Sequence, residues 1–402
     1  MSEPNNKNDA RPDVLIVGAS ARSAAQSAVR AGLRPICADA FADEDLRAVA
    51  DVLPVSSFPQ DLPEAALRAP PCPWMYTGAL ENRPLIVEAI SARRTLWGNP
   101  PESLALVRDP LQAQRVLHEA GLPTAAVRTQ SNPPPADGTW LIKPVCGASG
   151  RGIKTWRGTA SATLHEPHFF QKRIEGLPCS AVFVATRDRA HLVGLSRQRI
   201  GDRLLNAASF AYCGSSGPIF FDATITRQIE QTSDVVTRWA RLRGLFGIDL
   251  VFDGTAAVPI EINPRYTASV EIFEHAYNVA LLDWHRRACS TYNEPGGSTA
   301  VDQFLDAQIQ AMGDTSRPPK FVEKAILFAD RSMVTPSLEH LAFRRSAGLF
   351  TLVADRPRLG TPIAAGRPIC SLMVIGPDED ACRQRFDSEV VALKQALVDR
   401  PS

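Results

Sequence analysis

The sequence predicts an open α/β unit at the N-terminus, a larger α+β unit after it and a small β-rich unit at the end. Three observations predict this. An apolar strand, a helical stretch and a second strand open the chain; strands and turns dominate the middle before giving way to helices; and short strands return after Phe321. At 402 residues, 45% of them hydrophobic, the chain exceeds one ordinary core and suits two or three domains. The boundaries read as residues 1–105, 106–312 and 313–402.

Asp13-Val-Leu-Ile-Val-Gly18 is a short continuous apolar run. A small-residue turn follows it, then a helical stretch closed by Gly32 and a second strand at Pro35 to Asp39. Strands are also expected at Trp74 to Thr77 and Thr95 to Trp97, with a helix over Leu80 to Ala92 between them, which completes an open α/β pattern. Asp109 can cap a new helix, with Pro110 in its first turn and Gly121 just past its end. Ser131 to Gly138 is a proline-rich loop. Strands and turns then run to about Pro264 and helices to about Ala311. The later strands are clearest at Ala325 to Ala329, Leu349 to Ala354 and Ile369 to Val374, with a turn at Leu359 to Pro362.

The charge balance is even, 44 Lys plus Arg against 43 Asp plus Glu for a net charge of +1. No block of like charge suggests a nucleic-acid or lipid surface, so small molecules are the expected partners. The eight cysteines are scattered, with no CxxC pair and no histidine cluster at zinc-ligand spacing, and read as reduced thiols. The polar opening Met1 to Pro12 has no signal-peptide core, and no apolar run is long enough for a membrane helix. These features place the protein in the cytoplasm.

Two segments carry chemistry. The first is Trp140-Leu-Ile-Lys-Pro144, an apolar strand holding one cation, followed by the glycine loop Cys146-Gly-Ala-Ser-Gly-Arg-Gly-Ile153. Such loops let backbone N–H groups close around phosphate oxygens while a nearby lysine supplies a point charge. A glycine turn beside a surface lysine is the competing reading. The second is Gly247 to Arg265, two strands joined by a turn at Asp253-Gly254-Thr255. With the hairpin centred on Thr255, Asp249 lies opposite Glu261, and Asn263 shares the face of Glu261, while Ile248, Leu250, Ile260 and Ile262 fill the other side. Two carboxylates across a ladder repel, and with an amide beside them they form a hard oxygen set suited to Mg2+ on nucleotide phosphates. A solvent-facing strand edge is the competing reading here.

Lys143, the glycine loop at 146–153, the segment Phe169-Phe-Gln-Lys-Arg-Ile-Glu-Gly176, and Asp249 with Glu261-Ile-Asn-Pro-Arg265 occur in the order and rough spacing of the ATP-grasp superfamily. The resemblance spans about residues 106 to 290. It implies that ATP is bound by Arg108, Lys143, Gly147, Ser149, Gly150, Gly152, Gln171, Lys172, Ile174 and Glu175, with the 169–176 segment as a hinge whose backbone pairs with adenine. It further implies magnesium on Asp249, Glu261 and Asn263, and Arg265 on the transferring phosphate. Arg108 stands where many members have a lysine, and Gln171-Lys172 replaces a common Gln-Glu, leaving Glu175 as the nearest acid for the ribose. The flanks resemble the pre-ATP-grasp α/β domain and, at Leu359 to Cys370, the C-terminal cap of purine-pathway members. Phe210-Ala-Tyr-Cys-Gly214 with Pro218, and Asn263 to Ser269, most resemble tyramine-glutamate ligase-like enzymes of the methanofuran and tetrahydromethanopterin pathways.

The resemblance implies a carboxylate-amine ligase that makes an acyl phosphate and releases ADP, with a homodimer as its assembly. Carboxyphosphate chemistry and a non-catalytic nucleotide-binding role are the alternatives. Arg197 and Arg199, two apart on a strand, could clamp an acyl phosphate, or be solvated arginines. Gly18 to Ser23 and Asp39 read as a tight structural turn, since no GxGxxG is present. Glu81 and Asn82 could hold an amine or cap a helix. Ser269, at the expected N-terminus of the helix after Arg265, could receive a carboxylate. Cys146 in the glycine loop could be a reactive thiol, but reads as a packed small side chain.

Overall fold

A computed structural model describes residues 11–158, 167–294, 296–346 and 348–398, so most of the polar opening segment lies outside it. Four parallel strands near the N-terminus, Val14–Gly18, Pro35–Asp39, Asp51–Leu53 and Trp74–Tyr76, lie in the spatial order third, second, first, fourth. The first two are buried along their whole length, as continuous apolar runs require. The chain turns to opposite sides of the first strand to form the second and the fourth. Loops 19–21 and 77–82 therefore meet at a topological switch point, where such sheets place ligands. Thr95 to Trp97 makes only one bridge, Leu96 to Trp74, and not the expected strand. The expected helix over Leu80 to Ala92 divides into a 3-10 turn, Leu80–Asn82, and a helix, Pro84–Ser91, because Pro84 starts a new first turn.

Asp109 caps Pro110–Glu119 by accepting from the backbone N–H groups of Leu111 and Gln112 at 3.0 and 3.1 Å. Beyond it, a four-stranded sheet orders Val127–Thr129, His168–Lys172, Trp140–Pro144 and Lys154–Thr155. It closes over a small core of Trp140, Ile142, Trp156 and Phe170. A nine-stranded sheet begins with Ala257–Asn263 and Gly244–Phe252 and passes through Leu177–Ala185, Ala190–Ile200 and Tyr212–Ile219. It continues without a break into Phe321–Phe328, Pro368–Gly376, Leu349–Ala354 and Phe343–Ser346. The C-terminal strands thus share a sheet with those before them, joined where Gly214 pairs with Ala325. Only glycine fits at 214, since its φ is +152° and a Cβ would lie 2.1 Å from the Lys324 carbonyl oxygen. Among the described residues, no helix is long and apolar enough to cross a membrane.

A buried charge network ties the start, middle and end of the chain together. Arg22, 1% exposed, donates through Nε and Nη2 to Asp355 at 2.9 and 3.0 Å and also pairs with Glu271. Lys324 Nζ reaches Glu271 at 2.6 Å, and the backbone N–H groups of Asp355 and Arg356 donate to Asp45 at 2.9 Å. Burial alone would raise the Glu271 carboxyl, but Arg22 and Lys324 outweigh it and hold it well below the usual carboxylate range. Arg22→Met should therefore leave buried Glu271 and half-buried Asp355 short of a counter-charge and cost about 3–5 kcal/mol. Thermal melts check this, and a melt unchanged from wild type would refute it.

Candidate active site

The hairpin of Gly244–Phe252 and Ala257–Asn263 places Asp249 directly opposite Glu261, as the sequence predicts. The route to that register differs. The turn closes over Asp253 to Ala256, with Asp253 N–H donating to the Ala256 carbonyl, and Leu250 pairs with Pro259, not with Ile260. Ile260 is an extra residue that restores the Asp249–Glu261 pairing. Pro259 suits this place, because it cannot donate to a regular ladder and is tolerated at bulges. The bulge also corrects the expected packing. Ile248, Leu250 and Ile262 are buried in the core, whereas Ile260 lines the cleft and its carbonyl accepts from Gln171 Nε2 at 3.2 Å and Lys143 Nζ at 3.5 Å.

Around the acid pair, Asn263 Nδ2 and Gln198 Nε2 donate to Asp249 at 3.1 and 2.8 Å, and Arg108 Nη1 donates to Glu261 at 3.0 Å. Burial and the charge of Glu261 push the Asp249 carboxyl up to about 6. Burial acts on Glu261 in the same direction, but Lys143 and Arg108 overcome it and hold this carboxyl below its ordinary value. One acid thus sits among cations and the other among amides. Arg265 bridges to the N-terminal unit: its Nε donates to Glu81 Oε1 at 2.8 Å and its Nη2 to Asn263 Oδ1 at 3.2 Å.

Lys143 is 8% exposed on Trp140–Pro144, where its Nζ donates to Gln171 Oε1 at 3.1 Å. Burial lowers its pKa, opposed by Glu261 and Asp249. Within the glycine loop, Gly147, Ala148, Gly150 and Arg151 face a cleft with about 810 Å³ of empty space, part of it open to solvent. The loop is docked on the 210–212 segment, where Tyr212 N–H donates to the Ser149 carbonyl at 3.2 Å. Gly150, at φ +74°, admits no side chain because a Cβ would lie 1.8 Å from the Phe210 carbonyl oxygen.

Of the residues expected at the nucleotide, Arg108, Lys143, Gly147, Gly150 and Gln171 line this cleft together with Glu261. The side chains of Lys172, Ile174 and Glu175 do not. Strand alternation turns Lys172 away from Gln171, so its Nζ reaches Thr139 at 2.8 Å and lies over the Trp140 ring, while exposed Glu175 pairs with Arg173. Ser149 and Gly152 shape the loop through positive φ angles without lining the cleft. Arg197 and Arg199 do share a face, but it is the face opposite Asp249. Arg197 pairs with Glu379 at 2.7 Å, and Arg199 pairs with Asp202 and Glu323. Gln198 between them reaches the acid pair, and the two-residue strand period was the signal that could have found it. Asp39 accepts from the backbone of Ala21, Phe41 and Ala42, which fixes the predicted structural turn. Glu81 is buried against Arg265 and caps no helix. Ser269 does precede the helix Val270–Tyr277, where its hydroxyl meets that of Ser215 at 3.4 Å. Cys146 is exposed, not packed.

Residues 107–269 match the model of the ATP-grasp domain family. The chain has the ATP-grasp fold. It superposes on pyruvate carboxylase from Rhizobium etli with a TM-score of 0.68 and 11% identity, covering 94% of this chain but 37% of that one. For the biotin carboxylase domain dimer of 2-oxoglutarate carboxylase from Hydrogenobacter thermophilus, in complex with MgADP, ADP and bicarbonate, the TM-score is 0.67 and the identity 12%, over 94% and 89% of the two chains. For the L-amino acid ligase from Bacillus licheniformis they are 0.65 and 14%, over 96% and 98%. No curated protein matches the sequence significantly. At these identities the likeness is one of fold. The ATP-grasp match runs from just before Arg108 through the glycine loop and the acid pair to Ser269.

Proposed function

We propose that this ATP-grasp chain is a magnesium-dependent ligase that activates a carboxylate as an acyl phosphate, joins it to an amine and releases ADP and phosphate. The observation that carries it is Asp249 across the ladder from Glu261, with Asn263 beside them and Lys143, Arg108 and Arg265 gathered around. Asp249 and Glu261 bring two carboxylates together, with the Asn263 amide beside them. That suits Mg2+, which binds through one or two carboxylates and completes its shell with phosphate oxygens and water. Asp249, Glu261 and Asn263 would hold it. When bound, the ion would neutralise phosphate charge.

The chain's own residues supply the rest. Lys143 and Arg265 neutralise negative charge on the transferring phosphoryl group, and the glycine loop, docked on 210–212, covers the phosphates and excludes water. A substrate carboxylate attacks the γ-phosphate, ADP leaves, and a bound amine then displaces phosphate from the acyl carbon. We assign residues 1–105, 106–312 and 313–402 as the pre-ATP-grasp, ATP-grasp and C-terminal units. A homodimer is the proposed assembly.

The resemblance to tyramine-glutamate ligase-like enzymes supplies the substrates, glutamate and an aryl-ethyl amine such as tyramine, in one-carbon cofactor assembly. With Mg-ATP and this pair, mass spectrometry should find the amide and chromatography ADP. AMP with pyrophosphate would sink the acyl-phosphate route, and ADP with an amide from another pair would sink only the substrates. The likeness to a domain crystallised with bicarbonate favours a second reading, carboxyphosphate chemistry. Bicarbonate-dependent ADP release without an amine would establish that one.

A further inference from the structure

Three strands near the end of the chain turn four apolar side chains to one face. Phe343 pairs with Leu352 and Phe350 with Ile375 across the ladders, and Phe350 and Leu352 lie two apart on one strand, so the four share a side of the sheet. The helix Val270–Tyr277 packs on part of this face, where Ile375 joins Ile272 and Ala276 in a small core. Beside that core a second cavity, with about 610 Å³ of empty space partly open to solvent, is lined by all four apolar side chains. Its other wall is polar. Arg30 comes from the end of the helix Arg22–Arg30, Glu274 and His275 from Val270–Tyr277, and Lys320 from the residue before Phe321–Phe328. Elements from the start, middle and end of the chain therefore meet here, and none of the residues lining this cavity lines the nucleotide cleft.

The charges on the polar wall do not balance. Glu274 is the one acid among the described lining residues, and four donors already occupy its oxygens: Ser27 and the Leu281 N–H on Oε1, Arg30 and the Tyr266 hydroxyl on Oε2. Lys320 has no acid within ion-pair distance among the described residues, and its Nζ lies 5.2 Å from the centroid of the Phe350 ring. The guanidinium of Arg345 lies 5.2 Å from the same centroid, again without an acidic partner among the described residues. Two cations on one ring with no counter-ion favour an anion beside them. His275 adds a polar group in want of a partner. Burial lowers its pKa to about 4, so its imidazole is neutral, and its Nε2 is buried with no hydrogen-bond partner among the described residues.

We propose that this cavity is a second small-molecule site, which takes an aryl carboxylate with its ring on the Phe343, Phe350, Leu352 and Ile375 face and its carboxylate on Lys320 and Arg30. Two cations against one acid leave a single positive charge on the wall, which a monoanion neutralises. Arg30 carries further N–H donors besides the one it gives Glu274, and a planar carboxylate matches that fork. An aromatic body suits Phe343 and Phe350, whose rings already lie 6.1 Å apart and tilted by 36°.

Fluorine NMR titration of the full-length protein with para-fluorinated benzoate, phenylacetate and phenylpropionate tests the site. At least one acid should bind saturably with Mg-ADP present in excess, and raise the melting temperature as a ligand of the folded state does. It should bind at least about tenfold more tightly than its own primary amide, which keeps the ring and loses the charge-assisted contact. Lys320→Gln, at an exposed position, should weaken the acid about tenfold and leave the amide unchanged. Leu352→Trp should fill the cavity and abolish binding of both, and Lys320→Gln still decides the matter if that core variant does not fold. Acid and amide bound alike, release of the acid by Mg-ADP, or wild-type affinity in Lys320→Gln would each overturn the proposal. So would a lack of saturable binding by all three acids.

Discussion

Lys143→Ala is expected to weaken ATP binding and to reduce turnover about 100- to 1,000-fold, the range seen when one preorganised charge-stabilising donor is removed from a sheltered site. The size follows from the surroundings. Lys143 is 8% exposed, and its Nζ is held by the Gln171 amide oxygen and the carbonyl that the Ile260 bulge turns into the cleft. Its position is therefore set before any nucleotide arrives, and little reorganisation is needed when phosphate charge appears. The neighbouring cations do not replace it, because Arg108 is committed to Glu261 and two loop carbonyls and Arg265 to Glu81 and Asn263. Titration calorimetry with Mg-ATP and a turnover assay measure the two effects. Wild-type affinity and rate in the variant would remove this lysine from the nucleotide site.

The sequence discloses such a site unevenly, and the reasons are local. The opposition of Asp249 and Glu261 was legible because a strand has a period of two and a turn signal fixes where it folds back. The predicted centre at Thr255 was displaced by half a residue, and the bulge at Ile260 made up the difference. Nothing in a two-residue period announces a bulge, so the inward turn of Ile260 could not be read. Arg197 and Arg199 show the same limit from the other side. Their spacing says that they share a face but not that the face looks toward Glu379 and Glu323, away from the acids. The place of Lys172 after Gln171 leaves its backbone on the hinge, while alternation sends its side chain to the far side of the sheet. The contact least accessible to sequence is Glu81 with Arg265, 184 positions apart, since it exists only because one loop of the N-terminal sheet packs on the hairpin. The continuous nine-stranded sheet belongs to the same class, because pairing of Gly214 with Ala325 depends on a backbone approach that no local pattern encodes.

Asp249→Asn and Glu261→Gln should each reduce magnesium-dependent turnover about 1,000-fold, as expected for the loss of several kcal/mol of metal-assisted charge stabilisation. Carboxylates set across a ladder repel, and from that alone either substitution would relieve the metal-free protein. The surroundings separate the two. Burial and Glu261 raise the Asp249 carboxyl to about 6, above its ordinary value of 3.8, so its protonated form is favoured by folding. The stability this group contributes is complete below about pH 4 and is lost as the pH rises through about 6, so at pH 7 in EDTA ionised Asp249 is a net cost of about 1–3 kcal/mol. Asp249→Asn removes that cost, and its melting temperature should rise relative to wild type across this window. Glu261 has the opposite sign. Lys143 and Arg108 hold its carboxyl below the ordinary 4.5, so its contribution is present above that value and lost only as the pH falls through the lowered one. Glu261→Gln relieves Asp249 but leaves buried Lys143 with less counter-charge, and its metal-free melt at pH 7 should hold or fall. Thermal melts of the three proteins in EDTA from pH 4 to 8, beside turnover with magnesium, decide the matter. A steep loss of metal-free stability in Asp249→Asn at pH 7 would mean that this carboxylate is part of the scaffold and not a place kept for a cation.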